Sequence, residues 1–277
     1  MDPDYMNRVF DVRGRVVVLT GGGGILCGTM ARELGKAGAA VAVLDLLPEA
    51  AQRVTDDVCA AGGDALAIQA DVLSRTTLVA AAEQVMARFG RVDVLINGAG
   101  GNRKEATTTP DLTFFDLPQD AFQWVFNLNF IGTLLPTQVF GKYMVERGEG
   151  CIINISSINA ISPLTRIPAY SAAKAAVRNF TEWLAVHMSQ EYSPRIRVNA
   201  VAPGFFLTNQ NRFLMIDEAT GEPTPRGKTV IAKTPMARYG DPSELISTVL
   251  WLMSPASSFV HGVTVAVDGG FSICSGV

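Results

Sequence analysis

The chain has 277 residues, 48% of them apolar and 18% charged, enough to bury a large core and too apolar for a disordered chain. With 23 basic and 26 acidic residues the net charge is −3, and no polybasic run offers a nucleic-acid footprint. No stretch approaches the roughly 18 apolar residues of a membrane span, and the amino terminus lacks the apolar core of a signal peptide. Cys27, Cys59, Cys151 and Cys274 are scattered, as reduced thiols of a cytoplasmic protein would be.

Along the chain, short β-branched runs alternate with longer stretches of helical period. Strands are predicted at 15–19, 40–45, 65–70, 92–97, 151–156, 196–201 and 264–267. Several are apolar on both faces, as a parallel sheet covered on both sides requires. Helices are predicted near 26–38, 49–62, 75–89, 119–147, 168–192 and 241–253. Strict alternation predicts an α/β fold, a doubly wound parallel sheet of about seven strands in a single domain spanning 1–277. One irregular stretch, 203–240, rich in Pro, Gly and Thr, is expected to form a substrate lid.

The first strand runs into a glycine loop, Gly21 to Gly24, and then a helix containing Leu26, Cys27 and Gly28. Such a loop turns sharply and brings N–H groups against a pyrophosphate at the positive helix end, so Gly21, Gly24 and Leu26 are candidate dinucleotide contacts. Asp45 ends the second strand, 24 residues after Gly21. Its carboxylate can accept both adenosine-ribose hydroxyls and would repel a 2′-phosphate, while Leu46 and Leu47 supply no arginine to welcome one. This predicts NAD, with NADP the lesser alternative; a plain helix cap near Pro48 is the bland reading. Asp71 and Val72 end the third strand beside the expected adenine. Asn97 and Ala99, in the small-residue end of the fourth, would let a cofactor lie against the sheet. Both could also be ordinary turn chemistry.

Tyr170 and Lys174 open a long helix one turn apart on one face. An ammonium beneath a phenol is expected to lower the phenol pKa and ready it for proton exchange with a carbonyl or alcohol oxygen. Ser157, 13 residues earlier, is placed to bond the same oxygen, and Asn129 could hold a water relaying protons to Lys174. Cys27, at a helix start, could have a lowered pKa or merely fit its space. The two histidines, His187 and His261, have no ligand spacing, so no metal is expected.

TGGGG near the amino terminus, NGAG, the Asn in NLNFIG, SS before YSAAK, NAVAPGFFLT and VDGG together resemble the short-chain dehydrogenase/reductase superfamily in its compact form, from about Arg13 to the end of the chain. The resemblance implies a Rossmann-type sheet, an NAD(P)-dependent oxidoreductase, and Asn129, Ser157, Tyr170 and Lys174 as its catalytic tetrad. It also implies that Tyr170, Lys174, Pro203, Gly204 and Thr208 contact the cofactor, and that the assembly is a homotetramer (or homodimer). One departure stands out: an ungapped TGxxxGxG pattern would need glycine at Ile25 and Cys27, whereas glycines flank those positions here. That shifts the expected pyrophosphate contacts.

Around the expected pocket the sequence is polar and basic: Asn102 and Arg103 after the fourth strand, Asn159 and Arg166 before Tyr170, Gln210 and Arg212 after Thr208. Guanidinium and amide groups suit a hydroxylated acid, although such side chains are often only solvated loop groups. Phe205 and Phe206 are expected to wall the nicotinamide pocket. GGN…ATT, NFIGTLLPTQVFGK, PLTRIPAYSAAKAA and APGFFLTNQNR further resemble the D-mannonate oxidoreductase (fructuronate reductase) branch, which implies a keto or hydroxy sugar acid as substrate. Another sugar-acid or polyol dehydrogenase, gluconate-type for example, and a dinucleotide sensor without turnover are the alternatives.

Overall fold

The computed structural model describes residues 3–208 and 211–274. Its strands are β1 (Val16–Thr20), β2 (Ala40–Asp45), β3 (Asp64–Gln69), β4 (Val94–Asn97), β5 (Gly150–Ile155), β6 (Ile196–Pro203) and β7 (Thr264–Val267). They form one parallel sheet in the order β3-β2-β1-β4-β5-β6-β7. The helices are α1 (Pro3–Val9), α2 (Ile25–Lys36), α3 (Pro48–Ala60), α4 (Arg75–Phe89), α5 (Gln119–Phe126), α6 (Gly132–Arg147), α7 (Pro168–Glu191), α8 (Arg212–Met215), α9 (Pro225–Lys233) and α10 (Ile246–Met253). The doubly wound single domain read from the alternation is the fold the chain adopts.

Alternate strand residues serve two cores, which is why these strands read as continuous apolar runs. Val17, Leu19, Val41, Val43 and Ile96 face one side with Leu34 of α2 and Val249 of α10. Val16, Val18, Leu44, Leu95 and Ile152 face the other with Phe140 of α6 and Leu184 of α7. The strand order reverses between β1 and β4, so their carboxyl ends diverge into a crevice. Thr20 ties that crevice together: its Oγ1 accepts the N–H groups of Gly98 and Ala99 at 3.1 and 3.2 Å.

Three expectations need correcting. The helix predicted over 119–147 is interrupted by a π-helical turn at Asn127–Ile131, where the ladder skips a residue and the helix is re-aimed. The stretch 203–240 is not irregular throughout. It holds α8 and α9, with Thr224 capping α9 by accepting the Gly227 N–H at 3.0 Å. Helix α1, which has no counterpart among the predicted helices, precedes β1. Among the described residues, no helix is long and apolar enough to cross a membrane.

Candidate active site

A cleft of about 400 Å³ opens at the carboxyl ends of β1, β2 and β4. Its wall includes Gly21, Gly24, Leu26, Asp45, Asp71, Val72, Ala99 and Thr208, eight of the thirteen positions read from the sequence as cofactor contacts. Gly21 has φ +65, and a Cβ there would lie 2.8 Å from the Ala99 Cα; only glycine lets the two loops meet. The departure from the TGxxxGxG pattern resolves into a tight loop. Gly24 is itself the helix N-cap, Ile25 starts α2, and Gly28 lies inside the helix against the Gly22 carbonyl and Val54. Gly24 brings no capping side chain, so the first-turn N–H groups of α2 keep their bonding capacity at the cleft. A pyrophosphate fits that cradle.

Asp45 has both its oxygens engaged: Oδ2 accepts the Gly23 N–H at 2.9 Å and Oδ1 the Leu47 N–H at 3.0 Å. It therefore braces the glycine loop and the start of α3 while still forming part of the cleft wall. Each oxygen retains a lone pair for a ribose hydroxyl.

Three other positions lie elsewhere. Asn97 does not line the cleft; its Nδ2 donates to Thr137 Oγ1 and Asn154 Oδ1, both at 2.9 Å, inside a buried polar ladder that continues from Asn154 to Thr181. Pro203 and Gly204 close β6 onto β7: the Gly204 N–H donates to the Val267 carbonyl, and a Cβ there would meet Asp268 at 2.6 Å. Phe206 is buried in the α2-side core and Phe205 packs edge-on to Phe271, so neither walls the cleft. Ile25, Cys27, Leu46, Ala70, Gly98, Gly100 and Leu128 complete the wall.

The four residues read as a tetrad converge beside the Gly100 end of this cleft. Lys174, 4% exposed, donates from Nζ to the Ile155 carbonyl at 2.8 Å and lies 5.6 Å from the Tyr170 ring centre. Burial lowers its pKa from 10.5 to about 8. Tyr170 differs from expectation. Its pKa is raised because the phenol is buried, against an opposing pull from its hydrogen bond with Ser157. Desolvation outweighs a cation spent on a carbonyl, and the phenol is held in its proton-donating form. Asn129 also differs. Its Nδ2 donates to the carbonyls of Gly101 (2.7 Å) and Val125 (2.8 Å) while Oδ1 accepts the Gly101 N–H (3.2 Å). Both amide donors are spent on locking the β4 loop to the π turn, so a relay water has only the remaining Oδ1 lone pair. Gly100 belongs to this group: a Cβ there would strike Asn129 Oδ1 at 2.6 Å and Lys174 Nζ at 3.3 Å.

The residues expected to touch substrate divide. Asn159 is buried, and most of its polar groups are bonded within the protein. Its backbone N–H and its Nδ2 both donate to Ser157 Oγ at 3.2 Å, while Oδ1 accepts from Leu164 N–H and Ser171 Oγ. It orients Ser157, with one of its two Nδ2 donors and its Oδ1 engaged within the protein. Asn102 donates to Thr107 Oγ1, but its Oδ1 is buried and unpaired. Arg103 is bonded to Glu105 and lies 4.7 Å over the Trp124 ring. Arg166 and Arg212 are exposed; Gln210 lies outside the described residues. Cys27 has its thiol pushed up to about 12 by burial, so it is inert wall and not a reactive group.

The chain matches the family model of the short chain dehydrogenases over residues 15–219. It is 48% identical over 276 residues to an uncharacterized oxidoreductase of Bacillus subtilis (strain 168), covering 96% of this chain and 98% of that one. A solved structure from Haemophilus influenza with bound NAD, provisionally named a D-mannonate oxidoreductase, is 46% identical with a TM-score of 0.90, covering 96% of this chain and 98% of that one. A gluconate 5-dehydrogenase from Burkholderia cenocepacia, in complex with NADP and tartrate, is 32% identical with a TM-score of 0.85, over 97% and 99% of the two chains.

Proposed function

We propose a reaction for this chain from the premise that it belongs to the short-chain dehydrogenase family and so is an NAD(P)-dependent oxidoreductase, related to those of sugar acids. The reaction is the interconversion of a keto and a hydroxy sugar acid, D-fructuronate and D-mannonate, with NAD(H). The observation that supports it best is the 46% identity, over nearly the whole chain, to the NAD-bound Haemophilus protein.

When bound, the nicotinamide supplies or accepts the hydride. The chain's own residues handle the proton. The Tyr170 hydroxyl, kept protonated by burial, gives its proton to the substrate carbonyl oxygen. Ser157 donates to the same oxygen, its lone pairs already occupied by the two Asn159 donors. The Lys174 ammonium holds the nicotinamide ribose and steadies the phenolate left behind. Asn129 keeps the β4 loop and the π turn in register with them. Gly21, Gly24 and Leu26 hold the pyrophosphate, and Asp45 the adenosine ribose, where it disfavours a 2′-phosphate. The segment 203–240 covers the substrate. We take the working form to be a cytoplasmic homotetramer or homodimer joined through α6 and α7, whose surface exposes Trp183 and Val186.

The test is a panel of D-fructuronate, 5-keto-D-gluconate and D-fructose with NADH and NADPH, followed by nicotinamide absorbance. Fastest turnover is expected for D-fructuronate with NADH, and Asp45→Ala should relax the preference toward NADPH. Wild-type preference for NADPH would refute the role of Asp45. Faster turnover of 5-keto-D-gluconate would move the substrate to the gluconate type, and NADH binding without any turnover would make the chain a sensor.

A further inference from the structure

Two arginines around the lid have carboxylate partners: Arg103 is paired with Glu105 and Arg238 with Glu244. Arg226, the second residue of α9, is different. Its Nε is sealed from solvent and has no hydrogen-bond partner among the described residues. The next residue, Gly227, is wedged so tightly that a Cβ would lie 2.2 Å from the Met215 carbonyl oxygen and 2.7 Å from the Tyr239 hydroxyl. That hydroxyl is likewise buried and unpartnered. Burial first, and then the nearby charge of Arg166, push the Arg226 pKa below the ordinary arginine value.

Arg166 approaches from the segment leading into α7, four residues before Tyr170. Its φ of +74 is costly for a residue with a side chain, and its carbonyl is held by the Thr108 N–H at 2.8 Å. It makes no salt bridge among the described residues. Two like charges, one with a dry unpaired N–H, and an idle hydroxyl beside them form an unfavourable set when empty. One anion with several acceptor lone pairs answers all three.

We propose that Arg226, together with Arg166 and the Tyr239 hydroxyl, forms the subsite that receives the substrate carboxylate, so that the lid itself selects an acid over a neutral sugar. This rests on the sugar-acid reading above and adds Arg226 and Tyr239 to it.

The full-length protein with NADH is assayed on D-fructuronate and on D-fructose, its neutral counterpart, as wild type, Arg226→Gln, Arg226→Lys and Tyr239→Phe. Arg226→Gln should lose on the order of 10- to 100-fold in kcat/KM on the acid, chiefly through KM, and about tenfold less on the neutral sugar. Arg226→Lys should recover part of the loss, and Tyr239→Phe should show a smaller loss with the same preference. Without substrate, Arg226→Gln should melt at or above the wild-type temperature, because it removes a partly buried charge whose Nε is dry and unpaired. With NAD, D-mannonate should raise the Tm of wild type and not of Arg226→Gln. Equal losses on the two sugars, a clear fall in Tm, or equal stabilisation of both proteins by D-mannonate would overturn the subsite. So would inorganic phosphate raising Tm as strongly as D-mannonate, which would make this a general anion site. If wild type reduces D-fructuronate while any of these holds, only the subsite falls. If wild type reduces D-fructose and no acid, the sugar-acid reading falls with it.

Discussion

Lys174 and Tyr170 show how burial sets the chemistry of single residues. The lysine is nearly sealed and rests on one carbonyl, so its ammonium is held at about 8, below its ordinary 10.5. The ammonium is therefore present below that value and is shed as pH rises through it. Between about 8 and 10.5 the unfolded chain binds a proton the folded chain has lost, so this residue makes the fold more stable as pH rises across that window. Activity should run the other way. The kcat/KM for reduction is expected to fall as pH climbs above about 8, and Lys174→Arg, whose charge persists, should move that fall to higher pH. A wild-type profile flat through this range would show that the charge is dispensable. Asp45 teaches a related lesson: a side chain that braces the turn into a helix can also line a cofactor cleft, because a carboxylate has more lone pairs than either task needs.

Between residue and fold stand the short elements that aim the site. The π turn Asn127–Ile131 brings Asn129 under the β4 loop, and the one-turn helix Ile158–Ala160 after β5 brings Asn159 under Ser157. In both, an amide bonded to neighbouring atoms fixes a geometry. Asn159 is a positioning residue, and Asn159→Ala should lower kcat about tenfold with little change in KM or NADH affinity, since Ser157 loses one of two donors. Because the Ser157 bond counters the upward push on the Tyr170 pKa, the Tyr170 limb of the pH profile should also shift to higher pH. Asn159→Asp, which turns that donor into an acceptor, should do no better than alanine. A loss confined to KM would return Asn159 to the substrate-contact role first read for it.

At the scale of the molecule, the sheet is held where strand entrances meet helix ends. Asp93, with its side chain 2% exposed, accepts from the Val16 N–H, Arg91 and Arg147, joining β1 to the end of α6. Burial raises its pKa, but these hydrogen bonds outweigh it and the net shift is downward from 3.8. A carboxylate lowered in the fold contributes stability above its unfolded value and loses it as pH falls through the folded one. Asp93→Asn should therefore cost about 1–3 kcal/mol in urea unfolding at neutral pH. The gap from wild type should close as pH drops below 3.8. A constant gap would mean that shape, not charge, matters at this position.

Much of this protein was legible in its sequence because the signals are local. A strand's two-sided apolar run, a glycine loop before a helix, and a Tyr and Lys one helical turn apart are set by backbone period and steric limits, so the fold class and the pairing of Tyr170 with Lys174 follow from spacing. What the sequence could not decide was which polar group is spent and on what. Asn97, Asn129 and Asn159 look alike in a string of letters. Only the packed chain turns Asn97 into a buried ladder, Asn129 into a lock and Asn159 into a brace for Ser157. Arg103 and Arg226 are equally basic on paper, yet one meets Glu105 two residues away, while the other holds its Nε buried on α9 with no partner among the described residues. The reason is physical: local period depends on neighbours along the chain, whereas desolvation and hydrogen-bond satisfaction depend on groups brought from far along it, and those are assigned only when the tertiary structure closes.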